Sequence, residues 1–220
     1  MALPTDTLRD LARTLPAASR VFHQHRLDFC CGGGRPLSDV CSERGLDAAA
    51  ILSLIESASR DGGNSTRWDQ RPPADVVQHI LDVYHAPLRP EIARLRDMAR
   101  KVEDVHAEKA TCPRGLAAHL EQMVGAVEDH LAQEEKILYP MIVSGNTDFV
   151  RMPIQVMLQE HDDHAEALRR TRSLTADLVA PEEACTTWRA LYLGLEQLER
   201  DLMDHIHLEN NVLFPMVLNG

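Results

Sequence analysis

The sequence predicts an all-α protein in which a small helical N-terminal domain precedes an antiparallel four-helix bundle. From Ala74 onward, apolar residues recur at three- and four-residue spacing, and no long stretch alternates as a strand would. Breaks containing Pro, Gly or Asn divide this region into four helices, of roughly residues 74–104, 114–143, 150–178 and 182–218. Because short connections make neighbouring helices antiparallel, these four helices predict a bundle.

An internal duplication supports the bundle. Residues 129–141 align without gaps on residues 204–216, and both segments carry Asp-His, a Glu four residues after the His, and an aromatic residue followed by Pro and Met. His85 aligns with His161 after a shift of one residue. The second and fourth helices are therefore equivalent, as are the first and third, and a duplicated hairpin closes naturally into a pseudo-symmetric bundle.

The N-terminal residues form a separate unit. A weakly amphipathic stretch with Leu8 and Leu11 leads to the segment Cys30–Gly34, and Ile51 and Ile55 recur later at helical spacing. Three consecutive glycines cannot lie inside a stable helix, so the cysteines are expected at a helix end or a turn. We expect a cysteine-containing helical domain, a Gly- and Pro-rich linker and the bundle, at residues 1–60, 61–73 and 74–220.

Composition excludes several classes of function. The 220 residues carry a net charge of −11 and only 4% are aromatic, which argues against a nucleic-acid binder. No apolar run approaches the roughly 20 residues needed to span a bilayer, and the N-terminus lacks the basic start and apolar core of a secretory signal. The five cysteines have no disulfide-scaffold spacing, which fits a reducing compartment. We therefore expect a cytoplasmic protein that binds neither membrane nor nucleic acid.

The duplicated residues predict a buried site for two metal ions. Residues four apart share a helix face, so each His points the same way as the Glu that follows it, and apolar neighbours indicate that this face turns inward. An inward Glu is costly unless it is paired or bound to a metal. The predicted ligands are the two duplicated pairs and the two aligned single histidines: His85, His130, Glu134, His161, His205 and Glu209.

The donor set narrows the choice of metal. Four imidazoles and two carboxylates, with no thiolate, argue against a structural zinc site and suit iron or manganese better than calcium. Spacing alone does not separate iron from manganese. Inward Glu and His side chains in helical bundles are typical of centres in which carboxylates bridge two such ions.

A simpler interpretation exists for each element. One His-x-x-x-Glu pair is usually a surface pair, but two copies at equivalent positions make that explanation poor here. The histidines without a repeat partner are expected to face solvent or to support a ligand, namely His79, His106, His119, His164 and His207. Glu160, next to His161, is expected to be an ordinary surface residue rather than a support for a ligand or a channel lining.

The cysteine pair leaves two interpretations open. Cys30 and Cys31 could hold accessible thiolates that bind iron or exchange sulfur or a nitrosyl group, or they could be two small buried residues at a turn. Cys41, Cys112 and Cys185 are expected to be structural or incidental.

Taken together, these residues resemble the iron–sulfur cluster repair (repair-of-iron-centres) di-iron family. The segment Asp28–Gly34 resembles its small cysteine domain, and the rest resembles its hemerythrin-like bundle through Tyr84-His85, Asp129–Glu134, Glu160–Asp162 and Asp204–Asn211. The resemblance covers nearly the whole chain, and it places the family's di-iron ligands on the same six residues that the duplication selects.

The resemblance implies a function as well as a fold. It implies two non-haem iron ions, bridged by carboxylates and an oxo group, that react with nitric oxide or oxygen during nitrosative or oxidative stress. It further implies repair of damaged iron–sulfur proteins by a homodimer that could act as an iron donor, and it leaves open whether the centre turns over nitric oxide. Cys30 and Cys31 would be the reactive thiols of that repair.

Three alternatives remain at the level of sequence. An oxygen carrier of the hemerythrin type is disfavoured, because its His-x-x-x-His pair is missing where Ala165 follows His161 by four residues. A nitric oxide or oxygen scavenger or sensor without a repair role would share the same metal ligands. A duplicated bundle without metal, acting through protein interactions, is the third alternative.

Overall fold

The computed structural model describes residues 2–61, 66–146 and 149–219, so residues 62–65 of the expected linker lie outside the described residues. The described residues are helical and contain no strand, and an isolated antiparallel bridge pairs Thr7 with Pro36. The prediction of an all-α protein is therefore confirmed. The chain divides into two compact units, one of residues 1–78 with 203–220 and the other of residues 79–202.

Four helices, α1 to α4, build the N-terminal part of the first unit. They span Leu8–Thr14, Ala17–Gln24, Leu37–Arg44 and Ala48–Asp61. Helix α1 begins where the Thr7 hydroxyl accepts a hydrogen bond from the Asp10 amide, a typical N-cap. Their apolar faces share one core around the fully buried rings of Phe22 and Phe29, whose centroids are 5.7 Å apart. The cysteine pair lies between α2 and α3, outside any helix as expected.

The remaining helices follow the predicted pattern, with three π-helical segments between them. Helices α5 to α11 span Pro73–Ile80, Ala86–Val105, Leu116–Gln133, Tyr139–Val143, Arg151–Leu174, Thr186–Leu208 and Phe214–Asn219. The π segments π1, π2 and π3 span Leu81–His85, Glu134–Leu138 and Glu209–Leu213. A short 3₁₀ turn covers Trp68–Gln70.

Side-chain contacts join the helices of the second unit into a bundle. The Ala117 amide of α7 donates to the Glu103 carboxylate of α6, 2.8 Å away. The Arg172 guanidinium of α9 donates to the Glu199 carboxylate of α10 at 2.8 Å. Gly194 of α10 lets that helix approach α6 closely, since a Cβ there would lie 2.5 Å from a methyl carbon of Leu95. These contacts join α6 to α7, α9 to α10 and α10 to α6, as expected of a four-helix bundle.

The third bundle helix ends earlier than the sequence predicts. The sequence pattern predicts a helix that continues to residue 178, but α9 ends at Leu174, and residues 176–178 have left-handed φ values of 48°, 66° and 61°. The Asp177 amide donates to the Arg172 carbonyl at 2.7 Å, as in a Schellman motif. The Leu178 amide donates to the Thr175 hydroxyl. These bonds use the backbone groups of the helix end without a glycine, which explains why the break visible in the sequence, at residues 179–181, comes after the helix has ended.

Each π segment ends two residues before a proline. The amide of the residue after each segment donates to the carbonyl five residues back, and the next residue is Pro87, Pro140 or Pro215. Proline has no amide hydrogen, and its ring clashes with the carbonyl four residues back in a regular helix. A wider turn before the proline relieves that clash, and such turns are frequent at functional sites. The sequence shows these prolines but not the widened turns.

The buried His119 gives a prediction for stability. Its Nε2 lies 3.0 Å from both the Ala167 carbonyl oxygen and the Thr171 hydroxyl. Burial lowers the pKa of His119 and Arg170 lowers it further, outweighing the hydrogen bond to Ala167, which raises it. The unfolded chain therefore binds the proton more readily, so this contribution to stability is present above about pH 6.5 and is lost as the pH falls below it.

We expect His119→Gln, in the metal-free protein, to flatten the fall in unfolding free energy between about pH 7 and pH 5. Urea denaturation at a series of pH values measures this. An unchanged slope in the variant would show that His119 does not contribute to the acid sensitivity of the fold.

Candidate metal centre

Four of the predicted ligands meet in the second unit. His85 ends π1, Glu134 begins π2, His130 lies one turn earlier on α7, and His161 lies on α9. All four are at most 2% exposed. One carboxylate oxygen of Glu134 lies 3.4 Å from Nε2 of both His85 and His130, and the other lies 4.0 Å from Nε2 of His161. The structure thus brings these four predicted ligands together.

The other two predicted ligands lie in the first unit. His205 is near the end of α10 and Glu209 begins π3, as Glu134 begins π2. Both side chains are fully buried, and His205 Nε2 lies 3.0 Å from a carboxylate oxygen of Glu209. The two copies of the duplicated segment therefore have the same local backbone and the same His–Glu contact.

The donor atoms fit a first-row transition metal. Such ions bind imidazole and carboxylate at about 2.1 Å, so two donors of one ion are at most about 4.2 Å apart. The distances from Glu134 to the three imidazoles, and the 3.2 Å between His130 Nε2 and His161 Nε2, meet that limit. A buried site with imidazole nitrogen and carboxylate oxygen donors and no thiolate is suited to iron or manganese.

Outer carboxylates orient two of the histidines. His85 turns Nε2 toward Glu134 and its Nδ1 lies 3.0 Å from Glu135, which also accepts from the Arg89 guanidinium at 2.9 Å. His130 Nδ1 lies 2.7 Å from Glu160. A carboxylate on the far nitrogen fixes ring orientation and makes the near nitrogen a stronger metal donor. The expectation that Glu160 is an ordinary surface residue is therefore wrong.

The charge on Glu135 suits this role. Burial would raise its pKa, but the hydrogen bonds from Arg89 and His85 outweigh burial and lower the pKa below the usual value. The group is thus a carboxylate at neutral pH and accepts from the imidazole. The sequence pattern singles out neither Glu135 nor Arg89, because the histidine partner of Glu135 lies on another helix.

We expect Glu135→Gln to weaken iron binding by about 10- to 100-fold, because the amide holds His85 Nδ1 less firmly than the carboxylate. Competition with a chromophoric chelator measures the affinity. Glu128→Gln, on the exposed side of α7, is the matched control and should bind iron as the parent does. Equal affinities for the Glu135 variant and the control would contradict the assigned role.

The cysteine pair occupies a turn in the first unit. Cys30 is buried and Cys31 is half-buried, and their sulfur atoms are 3.7 Å apart. The hydrogen bond with Cys31 raises the pKa of Cys30 well above its usual value, and burial and the negative charge of Asp28 raise it further. Cys30 is therefore a neutral thiol at physiological pH, and Cys31 is the more exposed residue of the pair.

Two asparagines fasten this turn to the helix that carries Glu209. The Asn211 amide nitrogen donates to the Phe29 carbonyl at 3.1 Å, and that of Asn210 approaches the Cys30 carbonyl at 3.4 Å. Asn210 occupies the place of Glu135 in the duplicated segment. One copy thus uses the residue after the predicted ligand Glu to orient a histidine, and the other uses it to hold the cysteine turn.

Other contacts at the site carry no signal in the sequence. The Tyr139 hydroxyl lies 3.3 Å from His85 Nε2, so this aromatic residue packs at the helix end and also touches a predicted ligand. Three of the histidines without a repeat partner are buried rather than solvent-facing: His119, His164 and His207. Of these, His164 packs edge-on against His130 with ring centroids 4.9 Å apart, which is consistent with the expectation that some of them support a ligand.

Comparison with known families gives the class of protein. Residues 76–217 match the hemerythrin HHE cation binding domain, and residues 4–59 match a domain of unknown function (DUF542). The bundle and its buried His and Glu residues thus define a hemerythrin-like protein, a class that implies iron binding. The prediction of a hemerythrin-like helical bundle is confirmed.

Individual relatives define the family more narrowly. The iron–sulfur cluster repair proteins YtfE of Yersinia pseudotuberculosis serotype IB (strain PB1/+) and Yersinia pestis (strain Pestoides F) are each 42% identical over 214 residues, or 97% of both chains. This chain belongs to the YtfE family of iron–sulfur cluster repair proteins, as the resemblance indicated. Among the described residues, no helix combines the length and apolar character needed to cross a membrane.

Proposed function

We propose that the chain is a di-iron protein that binds nitric oxide and supports repair of damaged iron–sulfur clusters. The observation that carries this is the duplicated, fully buried His–Glu contact, found once in each unit with the same local backbone. In this proposal the two metal ions are held by the six predicted ligands: His85, His130, Glu134, His161, His205 and Glu209. The names of the YtfE relatives support the repair role.

The protein's own residues would supply position and charge. Glu134 and Glu209 would supply carboxylate ligands, and the four histidines, some oriented by outer carboxylates, would supply imidazole ligands. Iron held there would supply a binding position for a diatomic molecule such as nitric oxide or oxygen. The apolar surroundings and low exposure would keep bulk water away from that position.

Freshly purified protein tests the centre directly. We expect two iron ions per chain by metal analysis, a visible absorption spectrum that changes when nitric oxide is added under anaerobic conditions, and reactivation of a nitric-oxide-damaged iron–sulfur enzyme. The proposal would be overturned if the protein contained no metal, or if its visible spectrum did not change when nitric oxide was added. Oxygen binding in place of nitric oxide would favour an oxygen sensor.

The cysteine pair separates repair from simple gas binding. We propose that Cys30 and Cys31 receive or relay iron or a nitrosyl group during repair, with Cys31, the more exposed residue, acting first. The double variant Cys30→Ser, Cys31→Ser should then lose reactivation of the damaged enzyme and keep nitric oxide binding. Cys112→Ala, which removes a thiol buried elsewhere, is the control. Full repair by the double variant would make scavenging the better account.

We further propose that the functional parts follow the boundaries predicted from the sequence, at residues 1–60, 61–73 and 74–220. In this proposal the protein acts in the cytoplasm as a homodimer, with damaged iron–sulfur proteins as its clients. Sedimentation of the iron-loaded chain tests the oligomeric state, and a monomer at working concentration would remove that part of the proposal.

A further inference from the structure

A cysteine and a histidine lie side by side in the second unit. Neither residue is a predicted metal ligand or a sequence neighbour of one. His106 follows the end of α6 and Cys185 precedes the start of α10, and the His106 Nε2 lies 3.2 Å from the Cys185 sulfur. The imidazole packs on the fully buried Trp188, with ring centroids 5.1 Å apart and planes inclined by 35°. The indole therefore holds the imidazole in place beside the sulfur. The proposed metal centre uses neither residue.

Cys185 also lies at a helix N-terminus. Its carbonyl accepts from the Arg189 amide at 3.0 Å, the first hydrogen bond of the 23-residue helix α10. The amide groups of the first turn carry partial positive charge, which favours an anion near the N-cap. A sulfur at a helix N-terminus beside a histidine is the arrangement in which thiols become nucleophilic.

The charged groups around the pair include two cations. The Lys109 ammonium donates to the Glu183 carbonyl at 3.1 Å, and the Arg189 Nε donates to the Ala184 carbonyl at 3.1 Å. The same segment carries two acidic residues, Glu182 and Glu183. The Glu183 carboxylate accepts from the Thr111 hydroxyl at 2.6 Å, which lowers its pKa. Both cations are therefore hydrogen-bonded to carbonyls of the residues immediately before Cys185, and a reactant carrying carboxylates would meet them there.

We propose that Cys185 is a nucleophilic thiol, with His106 as its base, that undergoes exchange with low-molecular-weight disulfides bearing carboxylates. In this step the Cys185 sulfur attacks one sulfur of the disulfide, a new sulfur–sulfur bond forms and the original one breaks. His106 Nε2 takes the thiol proton and the departing thiolate receives it. Cys185 is oxidised, the small disulfide is reduced to one thiol, and no other reactant is needed. Cys185 is half-buried, whereas Cys41 and Cys112 are buried.

The other cysteines provide internal comparisons. Burial raises the pKa of Cys41, with Asp47 adding to it. Burial also raises the pKa of Cys112, against the lowering effect of Arg114. Both thiols are buried and should react slowly. Cys30 and Cys31 are replaced by Ser in the test protein so that only one unburied thiol remains.

The test uses the full chain with Cys30→Ser and Cys31→Ser, glutathione disulfide as the probe, and peptide-resolved mass spectrometry over time. We expect Cys185 to be modified at least about tenfold faster than Cys41 and Cys112, and faster than in the urea-unfolded chain. His106→Gln should lower the rate of Cys185 modification about tenfold in the folded protein and leave that rate unchanged in the unfolded chain. His106→Phe keeps a ring on Trp188 and should lower the rate by a similar factor. It replaces the Gln variant in the test if that variant folds poorly.

A second comparison tests whether Lys109 favours disulfides that carry carboxylates. Lys109→Gln should slow the reaction with glutathione disulfide more than the reaction with the neutral hydroxyethyl disulfide. The proposal is overturned if Cys185 reacts at the same rate in the folded and unfolded chains, or if both His106 variants react as fast as the parent. An equal effect of Lys109→Gln on both disulfides would refute the preference for carboxylates.

Discussion

The double variant Glu134→Leu, Glu209→Leu is expected to lose iron binding by more than about 100-fold, a larger loss than removing a carboxylate that only orients a ligand histidine causes. Each replaced carboxylate is fully buried and lies 3.0–3.4 Å from a predicted ligand histidine in its own unit. Leucine fills a similar volume without an oxygen donor. Metal analysis and the visible spectrum of the purified variant measure the effect. Retention of two irons would show that these carboxylates are not ligands.

In the absence of metal, the same variant is expected to gain stability toward unfolding rather than lose a property of the parent. Without a metal ion, each buried carboxylate costs desolvation energy, and leucine removes that cost. The metal-free variant should therefore unfold at higher urea than the metal-free parent, while the iron-loaded parent should be more stable than either, since a ligand that binds only the folded state stabilises it. If the metal-free variant is the less stable, these carboxylates are structural.

The control for both measurements is Glu128→Leu. It lies on the same helix as His130, on its exposed side, and makes at one position the Glu-to-Leu change that the double variant makes at two. It should keep its iron and change the unfolding free energy little, as surface substitutions usually do. Comparison with this control separates loss of a ligand from the general effect of placing Leu in this part of the chain.

The bundle helices are predictable because their signals are local or repeated. Apolar spacing locates the helices, and the duplication selects His130 and His205 from the sequence alone. Glu135 and Glu160 cannot be assigned in this way, because each serves a histidine on another helix and neither is repeated. Sequence spacing describes one helix face, whereas these roles depend on how two helices pack.

The buried histidines show a related limit. His119 and His207 have no repeat partner, and an isolated His is more often exposed than buried. Each is buried because a polar partner is available, the Thr171 hydroxyl for His119 and the Asn211 amide for His207. Those partners are recognisable only once the chain is folded. The end of α9 escapes prediction for a similar reason, since side-chain and backbone bonds replace the glycine that usually marks a helix end.

The second large effect is expected at Gly33, in the turn that follows the cysteine pair. A Cβ at this position would overlap the Phe29 carbonyl oxygen and lie 2.8 Å from the carbonyl carbon, so the backbone itself must move. The Gly33 carbonyl also accepts from the Arg9 amide at 2.8 Å. Since the Phe29 ring is fully buried against Phe22, the turn has little room to shift.

We expect Gly33→Ala to destabilise the protein by about 1–3 kcal/mol, the usual cost of forcing extra volume into a packed region. Urea denaturation measures this loss. Gly125→Ala is the matched control with the opposite sign: it lies within α7 with nothing within 4 Å of the added Cβ, so it should stabilise the helix by about 0.5–1 kcal/mol. Because Phe29 directly precedes Cys30, the Gly33 variant should also change the reaction rates of both thiols. A Gly33 variant as stable as the parent would mean that the turn can open without disturbing the Phe29 core.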